Sequence, residues 1–141
     1  MGFAVGYITT ETLTPDQQSA IQQSLSTLTT GRTWLSCEPP LLTNVDGQLR
    51  GSSKPNFSPH PDDVASAESE NLPDGTLNDL LDALCAVSKD HKIDWEISHD
   101  HSGGPIGYIR QGTCDETVRE QCASFSEIGD IIGDLGLDLD L

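Results

Sequence analysis

The stretch TLNDLLDALCAVSKDHKIDWEISHD, residues 76–100, decides the fold. Its first part is helical. Leu77, Leu80, Leu81, Leu84 and Cys85 fall on one face at helical spacing. Thr76 with Asp79 forms an acidic version of a capping box. Lys89, His91 and Lys92 gather at the other end, where positive charge suits the helix dipole. The period then changes to two. Ile93, Trp95, Ile97 and His99 alternate with Asp94, Glu96, Ser98 and Asp100. That is a strand with one buried and one wet face, the pattern of an antiparallel sheet. Ser102-Gly103-Gly104 reads as the turn, and Pro105–Arg110 as the returning strand, with Ile106 and Tyr108 on one face.

Working outward toward the N-terminus, residues 3–9 read as a strand with Phe3, Val5 and Tyr7 on one face. Thr14, Pro15 and Gln17 signal a capped helix start, Ile21, Leu25 and Leu28 its buried stripe, and Gly31 its stop. A strand is expected over Thr33–Cys37 around Trp34, ended by Glu38-Pro39-Pro40. Leu41, Leu42 and Val45 extend the pairing, Asp46-Gly47 turns, and Gln48, Leu49 and Arg50 return. The Trp34 and Trp95 segments, each a helix followed by a hairpin and offset by 61 residues, read equally as a weak duplication or as the chance likeness of two amphipathic units. Residues 51–74, with Pro55, Pro59, Pro61 and Pro73, read as a long Pro-rich loop.

Toward the C-terminus, Thr113 with Glu116 reads as a capping box. Val118, Cys122, Phe125, Ile128, Ile132 and Leu135 then form a helical stripe. Residues 136–141 alternate Gly or Asp with Leu and read as an acidic tail or an edge strand. The expectation is a single α+β domain over residues 1–141, in the order β-α-β-β-loop-α-β-β-α. Its sheet should be mostly antiparallel, of about four to five strands, with helices on one face.

Charge narrows the function classes. The 141 residues carry a formal charge of −16. Residues 1–60 hold Glu11, Asp16, Glu38 and Asp46 against Arg32, Arg50 and Lys54, a net of −1. The remaining 19 acids face only Lys89, Lys92, Arg110 and Arg119, a net of −15. This excludes phosphate-backbone binding, which needs clustered Lys and Arg, and docking on anionic membranes. No apolar run approaches the roughly 20 residues of a membrane span. The N-terminal residues do not read as a signal peptide, and Cys37, Cys85, Cys114 and Cys122 form no C-x-x-C. A reducing, cytoplasmic location is expected, with the cysteines as small apolar core residues. Asn56-Phe57-Ser58 is a glycosylation sequon, relevant only to a secreted chain.

Three constellations bear on chemistry. His60-Pro61-Asp62-Asp63 resembles the His-Pro-Asp-Asp zinc motif of the deacetylases that act on N-acetylglucosaminyl lipids and related sugars. The resemblance covers four residues and implies a His and an Asp on the metal, with the neighbouring Asp as general base. In that family the motif follows an early parallel strand in a longer chain, whereas here it follows a Pro-rich loop, so those roles are not carried over. The residues also read as a simple polar turn. His99-Asp100-His101 has metal-ligand spacing on a strand, or is the polar tip of a hairpin. Cys114 and Cys122 flank a helix start, where a thiol can become acidic, although Cys122 also falls on the buried stripe. No phosphate loop, dinucleotide fingerprint, nucleophile elbow or calcium loop is present, and no cofactor is expected.

These readings favour a small, acidic, non-enzymatic protein-binding module that docks a basic protein, in the manner of an inhibitor or immunity protein. The alternative is a metal-dependent hydrolase built on His60, Asp62, Asp63, His99 and His101. Homodimerisation through a sheet edge or the C-terminal strand is a third expectation.

Overall fold

A computed structural model of the chain describes residues 4–55, 61–99 and 104–123. Strand β1 is Val5–Thr9 and helix α1 is Pro15–Thr29. A hairpin follows, β2 at Thr43–Val45 and β3 at Gln48–Ser53. Helices α2, Pro61–Glu70, and α3, Leu77–His91, come next. The chain continues through β4 at Trp95–His99, β5 at Pro105–Arg110 and the short β6 at Thr113–Cys114. Helix α4 begins after Asp115 and is described over residues 116–123.

The strands form one six-stranded sheet in the order β2-β3-β1-β4-β5-β6, with every neighbouring pair antiparallel. The fold is therefore α+β, as the alternation around Trp95 predicts, with six strands rather than the expected four to five because β6 adds a short edge strand. Register places the core on one face. Tyr7 lies opposite both Gly51 and Ile97, and Trp95 lies between Thr9 and Ile109. Val5, Tyr7, Leu49, Trp95, Ile97 and Ile109 are all buried. Against them pack Ile21 and Leu25 of α1, the leucines of α3, and Val118 and Cys122 of α4. Burying each such large side chain contributes about 1.5–3 kcal/mol. The Tyr7 and Trp95 rings meet edge to face at 6.1 Å. Their polar ends are also satisfied, since Tyr7 Oη lies 2.8 Å from Ser53 Oγ and Trp95 Nε1 donates to the Leu84 carbonyl.

Two of the three expected capping boxes form. Thr14 and Gln17 close the start of α1, and Thr76 and Asp79 that of α3. The turn at Asp46-Gly47 has both residues at positive φ, as a tight hairpin needs. Leu28, by contrast, is exposed, so the buried face of α1 ends at Leu25.

Four expectations need correction. The Trp34 strand does not exist; of residues 33–37 only Cys37 makes a bridge, to Pro55, and the proposed duplication goes with it. Trp34 sits at φ 51° and donates its indole N–H to the Thr29 carbonyl. Its ring covers Gly75, where an added Cβ would run into the ring. A close tertiary contact, rather than strand pairing, sets this residue's backbone. Second, residues 51–74 are not one loop. Gly51–Ser53 completes β3, and Pro61–Glu70 is a helix. Pro61 suits the first helical position, Asp62 and Asp63 suit the positive N-terminus, and the run that follows contains two alanines and two glutamates. Third, Ile106 and Tyr108 do not share one face. A register shift beside Ile97 and Ser98 lets Ile106 pack on the core, while Gly107 and Ile109 are buried and Tyr108 points to the opposite face. Fourth, Thr113 lies in β6, so Asp115 rather than Thr113 opens α4, its carbonyl accepting from Val118 N and Arg119 N.

Candidate functional site

The five residues of the anticipated metal site are only partly described. His60 and His101 lie outside the described residues, as do Phe125, Ile128, Ile132, Leu135 and the segment 136–141. Asp62 and Asp63 are exposed in the first turn of α2, in a helix rather than a turn. Among the described residues every strand pairing is antiparallel, unlike the parallel strand that precedes the motif in the deacetylases. His99 ends β4 opposite Val5, with its Nε2 2.9 Å from Gln121 Oε1 on α4. Among the described residues, no group of three or more His, Cys, Asp or Glu is arranged to hold a metal ion.

A cleft of about 470 Å³ lies beside the end of α3, lined by Ser88, Lys89, Lys92, Asp94 and Gln111. Lys92 there closes α3 in the left-handed conformation. Small-molecule sites are usually lined mainly by apolar and aromatic side chains. This lining has none.

The acidic surface is more informative. In α3, Asp79 pairs with Arg32 at 3.3 Å and Asp82 with Arg119 at 2.8 Å. Asp74, just before α3, is also committed. Its carboxylate accepts from the Leu35 and Ser36 amides at 2.8 and 3.1 Å and from the Ser36 hydroxyl. Burial alone would raise its pKa, but these bonds and one from the Gly75 amide outweigh burial and hold the carboxyl below its ordinary value.

Helix α2 differs. It carries Asp62, Asp63, Glu68 and Glu70 and no basic residue. Every side chain described on it is exposed except Val64, which is half-buried. A helix of 10 residues is marginal without a packed face. Glutamates in the last turn also oppose the helix dipole. So α2 is an acidic element that spends little of its surface on this chain's own core.

A second cluster joins α3, β6 and α4. Arg119 of α4 reaches along one ridge of α3, donating to Asn78 Oδ1 at 3.2 Å and Asp82 Oδ1 at 2.8 Å. Its Nη2 lies 3.9 Å from Cys85 Sγ. Cys85 and Cys114, both half-buried, are close enough for each thiol to shift the other's ionisation, and the Cys114 Sγ lies 3.6 Å from the Asp115 carbonyl oxygen. The hydrogen bond from Cys114 lowers the Cys85 pKa most; burial opposes it and the Arg119 charge assists, leaving the thiol down at about 7. The Cys114 thiol moves up, because it keeps the shared proton and is buried. Cys37 and Cys122 are buried, and burial pushes their thiols up to about 12 and about 11. The sequence reading pairs Cys114 with Cys122; the structure sets Cys114 against Cys85.

No protein-family model matches the chain, and comparison with curated proteins and with solved structures finds no significant match. Among the described residues, no helix is long and apolar enough to cross a membrane.

Proposed function

We propose that this protein is a non-enzymatic binding module that docks a basic protein partner through the acidic helix α2. The observation that carries this reading is the pairing of charge with exposure on that helix. Four carboxylates and no base stand on an element with one half-buried side chain among those described. Such a surface costs self-repulsion in the free protein, and a basic partner relieves it. Charge complementarity of this kind steers encounter and makes association sensitive to salt. In its finer form the partner is an enzyme with a basic active site, and docking inhibits it, as an immunity protein does.

The test compares wild type with the combined Asp62→Asn, Asp63→Asn, Glu68→Gln and Glu70→Gln variant in pull-downs. Wild type should recover a basic protein at ~50 mM salt and lose it at ~500 mM, where charge interactions are screened within a few ångströms. The variant should lose it at both. Equal recovery by variant and wild type, or recovery independent of salt, would overturn the reading. No observation among the described residues favours the metal-dependent hydrolase.

A further inference from the structure

Two thiols and a guanidinium gather where α3, β6 and α4 converge. Three features separate this pair from the other two cysteines. Cys85 and Cys114 are both half-buried, whereas Cys37 and Cys122 are buried. Each thiol shifts the other's ionisation across 29 positions of sequence. Arg119 approaches Cys85 Sγ at 3.9 Å while anchored by Asn78 and Asp82.

The local backbone keeps the pair together. The turn at Gln111 and Gly112 has both residues at positive φ and returns the chain beneath α3. Gly112 N donates to Ser88 Oγ at 3.1 Å, which pins the turn to α3 one helical turn beyond Cys85. At Gly112 a Cβ would stand 2.9 Å from the Lys89 side chain and 3.5 Å from the Cys85 carbonyl oxygen, so the approach is close.

We propose that Cys85 and Cys114 form an oxidant-responsive dithiol, with Cys85 the attacking sulfur, Cys114 the resolving sulfur and a small hydroperoxide the oxidant. Arg119 donates to the Cys85 sulfur, whereas the Cys114 thiol donates to the Asp115 carbonyl, and this difference assigns the roles. A thiol near pH-neutral ionisation is about half thiolate at pH 7, against a few per cent for an ordinary cysteine, and the thiolate is the nucleophile. In the first step the Cys85 thiolate attacks the peroxide. An S–O bond forms and the O–O bond breaks, leaving a sulfenic acid on Cys85 and an alcohol or water once the departing oxygen takes a proton. In the second step Cys114 sulfur attacks Cys85 sulfur. The S–S bond forms, the S–O bond breaks, and hydroxide leaves with the Cys114 proton as water. Two thiols are oxidised by two electrons in all, and the peroxide is reduced by the same two. The product ties α3 to the turn that introduces α4. It does not depend on the docking role of α2.

The experiment treats the full-length protein with stoichiometric hydrogen peroxide at pH 7 and maps the products by mass spectrometry. The expected product has lost both thiol hydrogens and carries a Cys85–Cys114 cross-link, with Cys37 and Cys122 reduced. In Cys114→Ser, dimedone should trap a sulfenic acid on Cys85. In Arg119→Gln, alkylation of Cys85 at pH 7 should slow by about three- to tenfold and its pH profile should shift upward. A link to Cys122 or Cys37, equal alkylation of all four thiols, or a Cys85 profile with no rise near neutral pH overturns the proposal. The wild-type map decides even where a variant folds poorly.

Discussion

Replacing Asp74 with Ala tests how the N-terminus of α3 is tied to the chain after α1. In wild type its carboxylate accepts from Leu35 N, Ser36 N and the Ser36 hydroxyl. Its backbone carbonyl accepts from Arg32 at 3.0 Å, and Pro73 O accepts from Thr33 N at 3.0 Å. The substitution removes the carboxylate contacts and leaves the backbone ones. Hydrogen bonds to a charged acceptor are worth roughly 1.5–3 kcal/mol each. Asp74 is half-buried, so water replaces part of what is lost, and the loss should be about 2 kcal/mol in total rather than the full sum. With a urea slope of roughly 2 kcal/mol per molar, that moves the midpoint down by about 1 M.

The pH dependence supplies the sharper check. The folded carboxyl titrates below its ordinary value. Its stabilisation is therefore present above the unfolded value near pH 4 and is lost as pH falls through the lower folded value. The gap between wild type and Asp74→Ala should be largest near pH 7 and shrink toward pH 3. Ser36→Ala shares a partner with Asp74, so its effect and that of Asp74→Ala should fall short of additive in the double variant. A gap under about 0.5 kcal/mol at pH 7, within the range of ordinary surface substitutions, or one unchanged at pH 3, would refute the reasoning.

Two further predictions concern the frame. Gly51→Ala places a methyl against the Tyr7 ring and the Leu41 carbonyl oxygen and should cost about 1–3 kcal/mol by thermal or urea unfolding, whereas Gly104→Ala, with nothing within 4 Å, should not. Thr76→Ala removes the side-chain bond to Asp79 N and should cost about 1 kcal/mol, with a matching loss of helical circular dichroism on heating.

The parts legible in the sequence are those where local and tertiary demands agree. Residues 76–99 carry a cap, a helical stripe and then strict alternation, and α3 and β4 follow them closely. The failures have identifiable causes. Trp34 sits among strand-forming neighbours, yet Asp74 and Gly75, some 40 residues on, hold its segment in irregular structure. Helix α2 hides in a Pro- and Ser-rich stretch, because Pro61 marks the start of a helix as readily as it marks a loop. The nearness of Cys85 to Cys114 depends on the turn at Gln111–Gly112 and on Arg119 from another helix. The signals in the sequence are slight: Cys85 stands at the margin of an apolar stripe, and Gly112 lies two residues before Cys114.

The expected dimer can be weighed against the sheet's own edges. At one edge β2 has three residues, all exposed; at the other β6 has two. Edges this short offer a second copy few backbone groups, which is how many sheets avoid self-pairing. They bury far less than the roughly 1,200–2,000 Å² of a stable interface. A dimer would thus rest mainly on other surface, and the Leu/Asp segment 136–141 is the sequence's candidate. Two copies at −16 each repel, so self-association should strengthen as salt rises. Docking of a basic partner should weaken under the same change. Size-exclusion profiles of the full chain and of a version ending at residue 135, each at low and high salt, separate the two. A salt-promoted dimer lost on truncation supports association through the C-terminal segment. A profile unchanged by truncation refutes it.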